Sequence, residues 1–192
     1  MINKLNLDLF NFFNQFAEMS TFTDRIIIIL ANWTVLIFIA SLIFFWFHKL
    51  NKKRLALYGV YSAIAGMLIN LLIGLVYYHP RPFLEHLGTQ LIEHSASGSF
   101  PSNHTTFMLA IALMFIYFKE TRKTGIVLTV LGLFSGFARV SAGVHFPFDI
   151  FGSIIVALIS SFVVFKLKSQ LDGLNDKIIS IYYYFLELRF KW

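Results

Sequence analysis

Apolar residues accumulate in this chain in long uninterrupted blocks. Ile26 to Phe47 and Ala56 to Tyr78 each exceed twenty residues without a charged side chain, and about twenty helical residues cross the roughly 30 Å of a bilayer's hydrocarbon. Both are predicted to be transmembrane helices. Thr105 to Phe118 and Gly125 to Phe137, at 14 and 13 residues, are too short alone and are predicted to span by extending into their polar flanks. Asp149 opens a fifth predicted span, Ile150 to Val164, whose Gly152 and Ser153 are small enough for close helix contact.

The two ends differ from these blocks. Leu5, Leu9, Phe12, Phe13, Phe16 and Met19 recur at helical spacing among Asn, Asp and Gln, the pattern of an amphipathic helix lying in the membrane interface over residues 1–24. A secretory signal would instead place bases before a continuous apolar run and a small-residue cleavage site after it. Residues 169–192 mix charges with isoleucine, tyrosine and phenylalanine, a second amphipathic segment rather than a sixth crossing. The prediction is an all-α integral membrane protein of about five transmembrane helices, with amphipathic interfacial helices at its N- and C-terminal ends. One domain, 1–192, holds its membrane core at 25–168.

Composition narrows the chemistry. Hydrophobic residues make up 57% of the chain and charged ones 14%, which excludes an ordinary water-soluble globular domain. With no cysteine there is no disulfide, no thiolate ligand and no thiol nucleophile. The formal charge of +6 comes from bases that punctuate the apolar blocks rather than form one patch, so a membrane is expected as partner and nucleic acid is not. Twelve of the sixteen basic residues fall in the 48–55 loop, the 119–124 loop or the tail. By the positive-inside rule the N-terminus and the loops 79–104 and 138–149 then face outward.

Those two loops hold the unusual residues. In His79-Pro80-Arg81-Pro82 two prolines stop the second span and hold Arg81 extended. The guanidinium is either an aimed phosphate fork or a membrane anchor. Gly98-Ser99-Phe100-Pro101-Ser102-Asn103-His104 reads as a helix N-terminus, which attracts anions; His104 lies beside such an anion or merely in the interface. In Arg139-Val140-Ser141-Ala142-Gly143-Val144-His145-Phe146-Pro147-Phe148-Asp149, a helix starting near Pro147 puts Asp149 within reach of His145. The carboxylate can then fix the imidazole tautomer, beyond complementing the helix dipole. Two arginines, two histidines and a carboxylate on one side of the membrane form a set able to move a phosphoryl group without metal. His48 reads as an interface anchor, and His79, His86 and His94 as solvated loop residues. Glu85 and Glu93 are weak cation contacts, and no metal site or cofactor is expected.

These clusters resemble the type 2 phosphatidic acid phosphatases, whose signature is K-x6-R-P, P-S-G-H and S-R-x5-H-x3-D. Here the corresponding residues are Gly74-x6-Arg81-Pro82, Pro101-Ser102-Asn103-His104 and Ala138-Arg139-x5-His145-x3-Asp149, and the resemblance runs from about Leu57 to Phe165. Within that superfamily the chain is most similar to the bacterial undecaprenyl-diphosphatases of the bacitracin-resistance type, through Tyr77 to Phe83, Ser99 to Ser102 and Gly143 to Pro147. Gly74, Asn103 and Ala138 depart from the pattern; the first removes a phosphate-binding lysine.

The resemblance implies a helical membrane phosphatase in which His145 attacks the terminal phosphorus, Asp149 orients it and His104 protonates the leaving oxygen. Arg81, Arg139, Ser102 and Asn103 would bind phosphate. The implied substrate is a polyprenyl diphosphate, hydrolysed on the outer face of a bacterial plasma membrane without metal. Hydrolysis of phosphatidylglycerol phosphate or phosphatidic acid fits the same motifs. A catalytically silent lipid-binding or transport protein is the reading from another class, and neither the motifs nor the composition sets an oligomeric state.

Overall fold

The computed structural model describes residues 4–48 and 50–189. Eight α-helices run in the order α1 Lys4–Asn14, α2 Thr21–Asn32, α3 Thr34–His48, α4 Leu50–Val76, α5 Asn103–Ile116, α6 Arg122–Ser141, α7 Pro147–Lys166 and α8 Lys168–Arg189. A single 3-10 turn, Pro82–Glu85, interrupts the long connection between α4 and α5. No strand occurs among the described residues.

Among the described residues four segments are long and apolar enough to cross a membrane: Thr21–His48, Lys52–Val76, Arg122–Ser141 and Pro147–Lys166. The first differs from its sequence expectation at both ends of the argument. It begins at Thr21, where Ser20 caps the helix by accepting a hydrogen bond from the Thr23 N–H at 3.1 Å, and it breaks at Trp33 into α2 and α3. The break leaves carbonyls at the end of α2 without helical partners, and α6 uses two of them. Ser135 donates to Leu30 O at 2.7 Å and Arg139 Nη1 to Ala31 O at 3.0 Å.

Gly125 to Phe137 does extend into its flanks, as α6, over 20 residues. Thr105 to Phe118 does not: α5 stops at Ile116 after 14 residues. Its length is about 21 Å. The reason is its surroundings. Met108, Ile111, Met114 and Phe115 are wholly buried, because α5 is the central helix, packed on α4, α6 and α7. Its apolar residues meet protein rather than lipid, so it is free of the length requirement imposed on its neighbours.

The N-terminal helix turns its apolar stripe outward, as an interfacial helix does: Leu5 and Phe12 are exposed, as are Phe16 and Met19 beyond its end, while Asn6, Phe10 and Asn14 are buried. Apolar side chains turned outward suit a lipid environment; the polar ones are satisfied within the protein. Asn6 Oδ1 accepts from Phe148 N at 3.0 Å. Asn14 clamps three groups: Thr89 N donates to its Oδ1 at 2.7 Å, and its Nδ2 donates to Thr89 O at 2.8 Å and Ser141 O at 2.9 Å. Gly152 also has a different neighbour from the helix expected: a Cβ there would lie 2.3 Å from the Phe100 ring. Ser153 does make an interhelical contact, donating to Ser102 O at 3.0 Å.

The C-terminal segment forms α8, which packs on α4 and α7. Arg54 reaches Asp176 at 2.5 Å, and Tyr61 donates to Asn175 Oδ1 at 2.9 Å. The predicted contributions of Lys49, Phe190 and Lys191 lie outside the described residues. α5 and α7 run parallel: Ser102 N donates to Asp149 O at one end, and Tyr117 stacks on Phe165 at the other, with ring centroids 4.7 Å apart. Loops 77–102 and 142–146 therefore gather at one end of the bundle with α1, and Lys52, Lys119, Arg122 and Lys166 belong to the other.

Candidate active site

Three chain segments meet where α5 and α7 begin. Each is held by local chemistry. Arg81, flanked by two prolines, has the extended backbone expected of it, with φ −81° and ψ 156°. Its guanidinium is only 5% exposed and is fixed on several sides. Nε donates to Ser97 O at 3.1 Å and Nη2 to Gly98 O at 3.0 Å, while Nη1 donates to Val144 O at 2.8 Å. The same Nη1 lies 3.2 Å from His145 Nε2.

That contact assigns the imidazole. Arginine can only donate, so Nε2 accepts and carries a lone pair. The ring proton is then on Nδ1, which faces Asp149 Oδ2 at 3.2 Å. Oδ2 also accepts from Phe146 N at 2.8 Å. Asp149 thus caps α7 and orients His145 together, the two roles that the sequence left side by side. Burial, followed by the charges of Arg139 and Arg81, holds the His145 imidazole well below its ordinary value. It is neutral and nucleophilic near pH 7.

His145 reaches this position because α6 ends sharply. Gly143 adopts φ +75° just past the helix, and a Cβ there would lie 2.2 Å from Thr89 O. Leu91 N donates to Ala142 O at 3.1 Å, so the α4–α5 connection is pinned to the end of α6 beside the Asn14 clamp.

Arg139, in the last turn of α6, is 1% exposed, and its Nε has no hydrogen-bond partner. Among the described residues no carboxylate oxygen lies within 4.0 Å of either Arg81 or Arg139. His104, half-buried in the first turn of α5, is close enough to interact electrostatically with Arg139 and His145. Two buried cations, the N-terminus of α5 and a neutral imidazole lone pair therefore converge on one spot. Such a constellation attracts a tetrahedral anion and presents a nucleophile to it.

The other predicted phosphate ligands are placed differently. Ser102 is fully buried as the N-cap of α5, its Oγ accepting from Thr105 Oγ1 at 3.1 Å. Asn103 accepts from Asn70 Nδ2 at 2.9 Å, tying α5 to α4. Gly74 has nothing within 4 Å of a built Cβ. With Asn70 and Asn103 it lines a cavity of about 630 Å³ whose other walls include Met67, Leu71, Phe100 and Phe107. This cavity adjoins the site through Ser97 and Gly98, the residues that hold Arg81.

Three residues with structural claims on the site were not singled out by sequence: Asn14, Ser99 and His79. Asn14 stood among the polar residues of an amphipathic pattern. His79 was dismissed as solvated, yet its Nδ1 is 2.8 Å from Ser99 Oγ and 3.6 Å from Asp149 Oδ1. The one available signal was its place beside the two prolines that rigidify Arg81. His94, by contrast, stays at the rim, its ring centroid 6.2 Å from that of His145.

A membrane-helix bundle with paired buried arginines and an oriented histidine at one end defines a class of membrane phosphatases. The chain belongs to the PAP2 superfamily, which residues 54–172 match, and it is a multi-pass membrane protein. It is 35% identical to undecaprenyl-diphosphatase BcrC of Bacillus subtilis (strain 168), over 93% of this chain and 92% of that one. It is 27% identical to bacitracin transport permease protein BcrC of Bacillus licheniformis, over 94% and 88% respectively. The crystal structure of Aquifex aeolicus LpxE superposes with a TM-score of 0.69 at 24% identity, covering 85% of this chain and 96% of that one.

Proposed function

We propose that this protein hydrolyses undecaprenyl diphosphate to undecaprenyl phosphate and inorganic phosphate. His145 Nε2 attacks the terminal phosphorus, and the bond from that phosphorus to the bridging oxygen breaks. His104 gives its proton to the departing oxygen of the lipid monophosphate. Water then attacks the phosphohistidine with His104 taking up its proton, the P–N bond breaks, and phosphate leaves. Asp149 balances the positive charge on the phosphorylated ring. Arg81, Arg139 and the free N–H groups at the start of α5 stabilise the equatorial oxygens, supplying charge that a metal ion supplies elsewhere, so turnover is metal-independent.

The observation that carries this reading is the pair of buried guanidiniums without carboxylate partners, one of them 3.2 Å from the lone pair of an Asp-oriented histidine. The similarity to an undecaprenyl-diphosphatase supports this choice of lipid. The neighbouring cavity, open where the family's lysine is replaced by Gly74, gives an apolar tail a place beside the headgroup. Because the basic residues gather at the opposite end, the positive-inside rule puts the site on the outer face of the plasma membrane. There it returns the cell wall lipid carrier to its monophosphate, recycling it and conferring bacitracin resistance.

The test is phosphate release by purified protein in detergent, with chelator, from undecaprenyl diphosphate, phosphatidylglycerol phosphate and phosphatidic acid. The polyprenyl diphosphate should be turned over fastest. Equal or greater rates on either glycerolipid would reassign the substrate, and no release from any of them would favour a lipid-binding or transport role.

A further inference from the structure

Asp149 has two carboxylate oxygens, and the mechanism above uses one. Oδ2 is occupied by His145 Nδ1 and Phe146 N. Oδ1 is buried and has no hydrogen-bond donor at ordinary distance. A buried carboxylate oxygen left in this way costs free energy, and the group nearest to supplying a proton is His79, whose Nδ1 stands 3.6 Å away.

The proton on His79 can be located. Ser99 Oγ lies 3.2 Å from Pro80 O and 2.8 Å from His79 Nδ1. The carbonyl can only accept, so the hydroxyl proton goes to Pro80. Ser99 then accepts from His79, which requires the proton on Nδ1. The opposite tautomer would aim a nitrogen lone pair at a carboxylate. The imidazole is held in register by Ser99 N, which donates to His79 O at 2.8 Å, and by edge-to-face contact with Phe146 at 5.2 Å between centroids. The His79 N–H is thus bonded to Ser99 Oγ and lies beside Asp149 Oδ1, 3.6 Å away.

We infer that His79 is a positioning residue: with Ser99 it forms a second imidazole arm on Asp149, opposite His145, that keeps this carboxylate ionised and aimed while the nucleophile attacks. The inference rests on the reading of His145 as nucleophile. The titratable and charged groups facing Asp149 are His145 on the α6–α7 loop and His79 and Arg81 on the α4–α5 loop; α1 presents Asn6 and Phe10, and α5 presents Ser102. Oδ1 is approached by His79 Nδ1 at 3.6 Å, and the Ser99 side chain also interacts with this carboxyl group.

The experiment compares His79→Phe, His79→Asn and Ser99→Ala with wild type and His145→Ala, using undecaprenyl diphosphate in detergent from pH 4 to 8. His79→Phe keeps a packed ring but has no donor. Its kcat should fall about 10- to 100-fold, the range seen when an outer partner of a metal-bound histidine is lost, with KM little changed. Without the donor the carboxylate takes up a proton more readily, so the acid limb of kcat should move up by about half to one pH unit. His79→Asn places an amide N–H near the Nδ1 position and should restore both kcat and the limb. Ser99→Ala removes the hydroxyl that holds His79 and itself faces the carboxylate, and should also move the limb to higher pH.

Recovery of both kcat and the limb in His79→Asn is not expected of a packing defect. Should His79→Phe fold poorly, Ser99→Ala carries the test by itself. If His145→Ala is inactive while the limb stays put in both variants, the arm is refuted and the nucleophile stands. If wild type releases no phosphate, or His145→Ala matches it, both readings fall together.

Discussion

Arg139→Met separates a residue kept for an anion from one kept for the fold. The guanidinium is buried, donates once, to Ala31 O at 3.0 Å, and leaves Nε without a partner. Methionine removes that bond, made by a charged donor and worth about 1.5–3 kcal/mol. It also removes an orphaned donor costing about 1–3 kcal/mol and relieves the desolvation of a buried charge, a change that is often neutral or stabilising by about 1–4 kcal/mol. These contributions oppose one another, with a net loss of at most about 2 kcal/mol, so the thermal midpoint in detergent should fall by no more than a few degrees. Turnover should not be spared. Losing one preorganised donor to a developing oxyanion costs about 100- to 1000-fold. Differential scanning fluorimetry with and without orthovanadate, beside a phosphate-release assay, reads both quantities. Vanadate at a hundred times its Kd should stabilise the wild type by about 2.7 kcal/mol and the variant hardly at all. Turnover within tenfold of wild type, or loss of the folded state, would mean that Arg139 serves packing between α2 and α6, and the anion site would have to be redrawn.

His145→Ala should abolish the phosphoenzyme in rapid-quench experiments with phosphorus-labelled substrate; His104→Ala should slow an alkyl phosphate far more than an aryl phosphate, which leaves well unaided. Gly143→Ala forces both a positive φ and a Cβ onto Thr89 O, so it should lower the thermal midpoint and, by shifting His145, reduce kcat; an unchanged midpoint would refute the pinned turn. Acidification should destabilise the protein through His145. Its folded imidazole resists protonation because of burial and then Arg139 and Arg81. The unfolded chain's histidine accepts a proton below about pH 6.5, so this contribution to stability is present above that value and is lost as pH falls. The midpoint of His145→Gln should fall less between pH 7 and 5 than that of wild type.

Features encoded within one turn of helix were legible in the sequence. Arg81 between prolines and Asp149 four residues after His145 both have the geometry their spacing implied. The helix α5 was harder, because 14 apolar residues look the same whether lipid or protein surrounds them. The docking of α1 through its polar side was illegible for a related reason: Asn6 and Asn14 bond to Phe148, Thr89 and Ser141, partners far along the chain, so no local pattern marks them as buried. The break at Trp33 follows from α6 needing the carbonyls of Leu30 and Ala31 more than α2 does. His79 was invisible because its partner Asp149 arrives from a separate helix.

The shortness of α5 bears on the bilayer itself. Asn70 meets Asn103 at the start of α5, and α4 continues to Val76, about 9 Å further at 1.5 Å per residue. The start of α5, with His104 in its first turn, therefore lies in a well sunk nearly two helical turns below the end of α4. On the proposed reading a lipid headgroup has to be drawn down into it, against its preference for the water boundary. The protein should consequently feel membrane thickness as a mechanical load, turning over faster in short-chain than in long-chain phospholipid vesicles, with the same active-site residues in both.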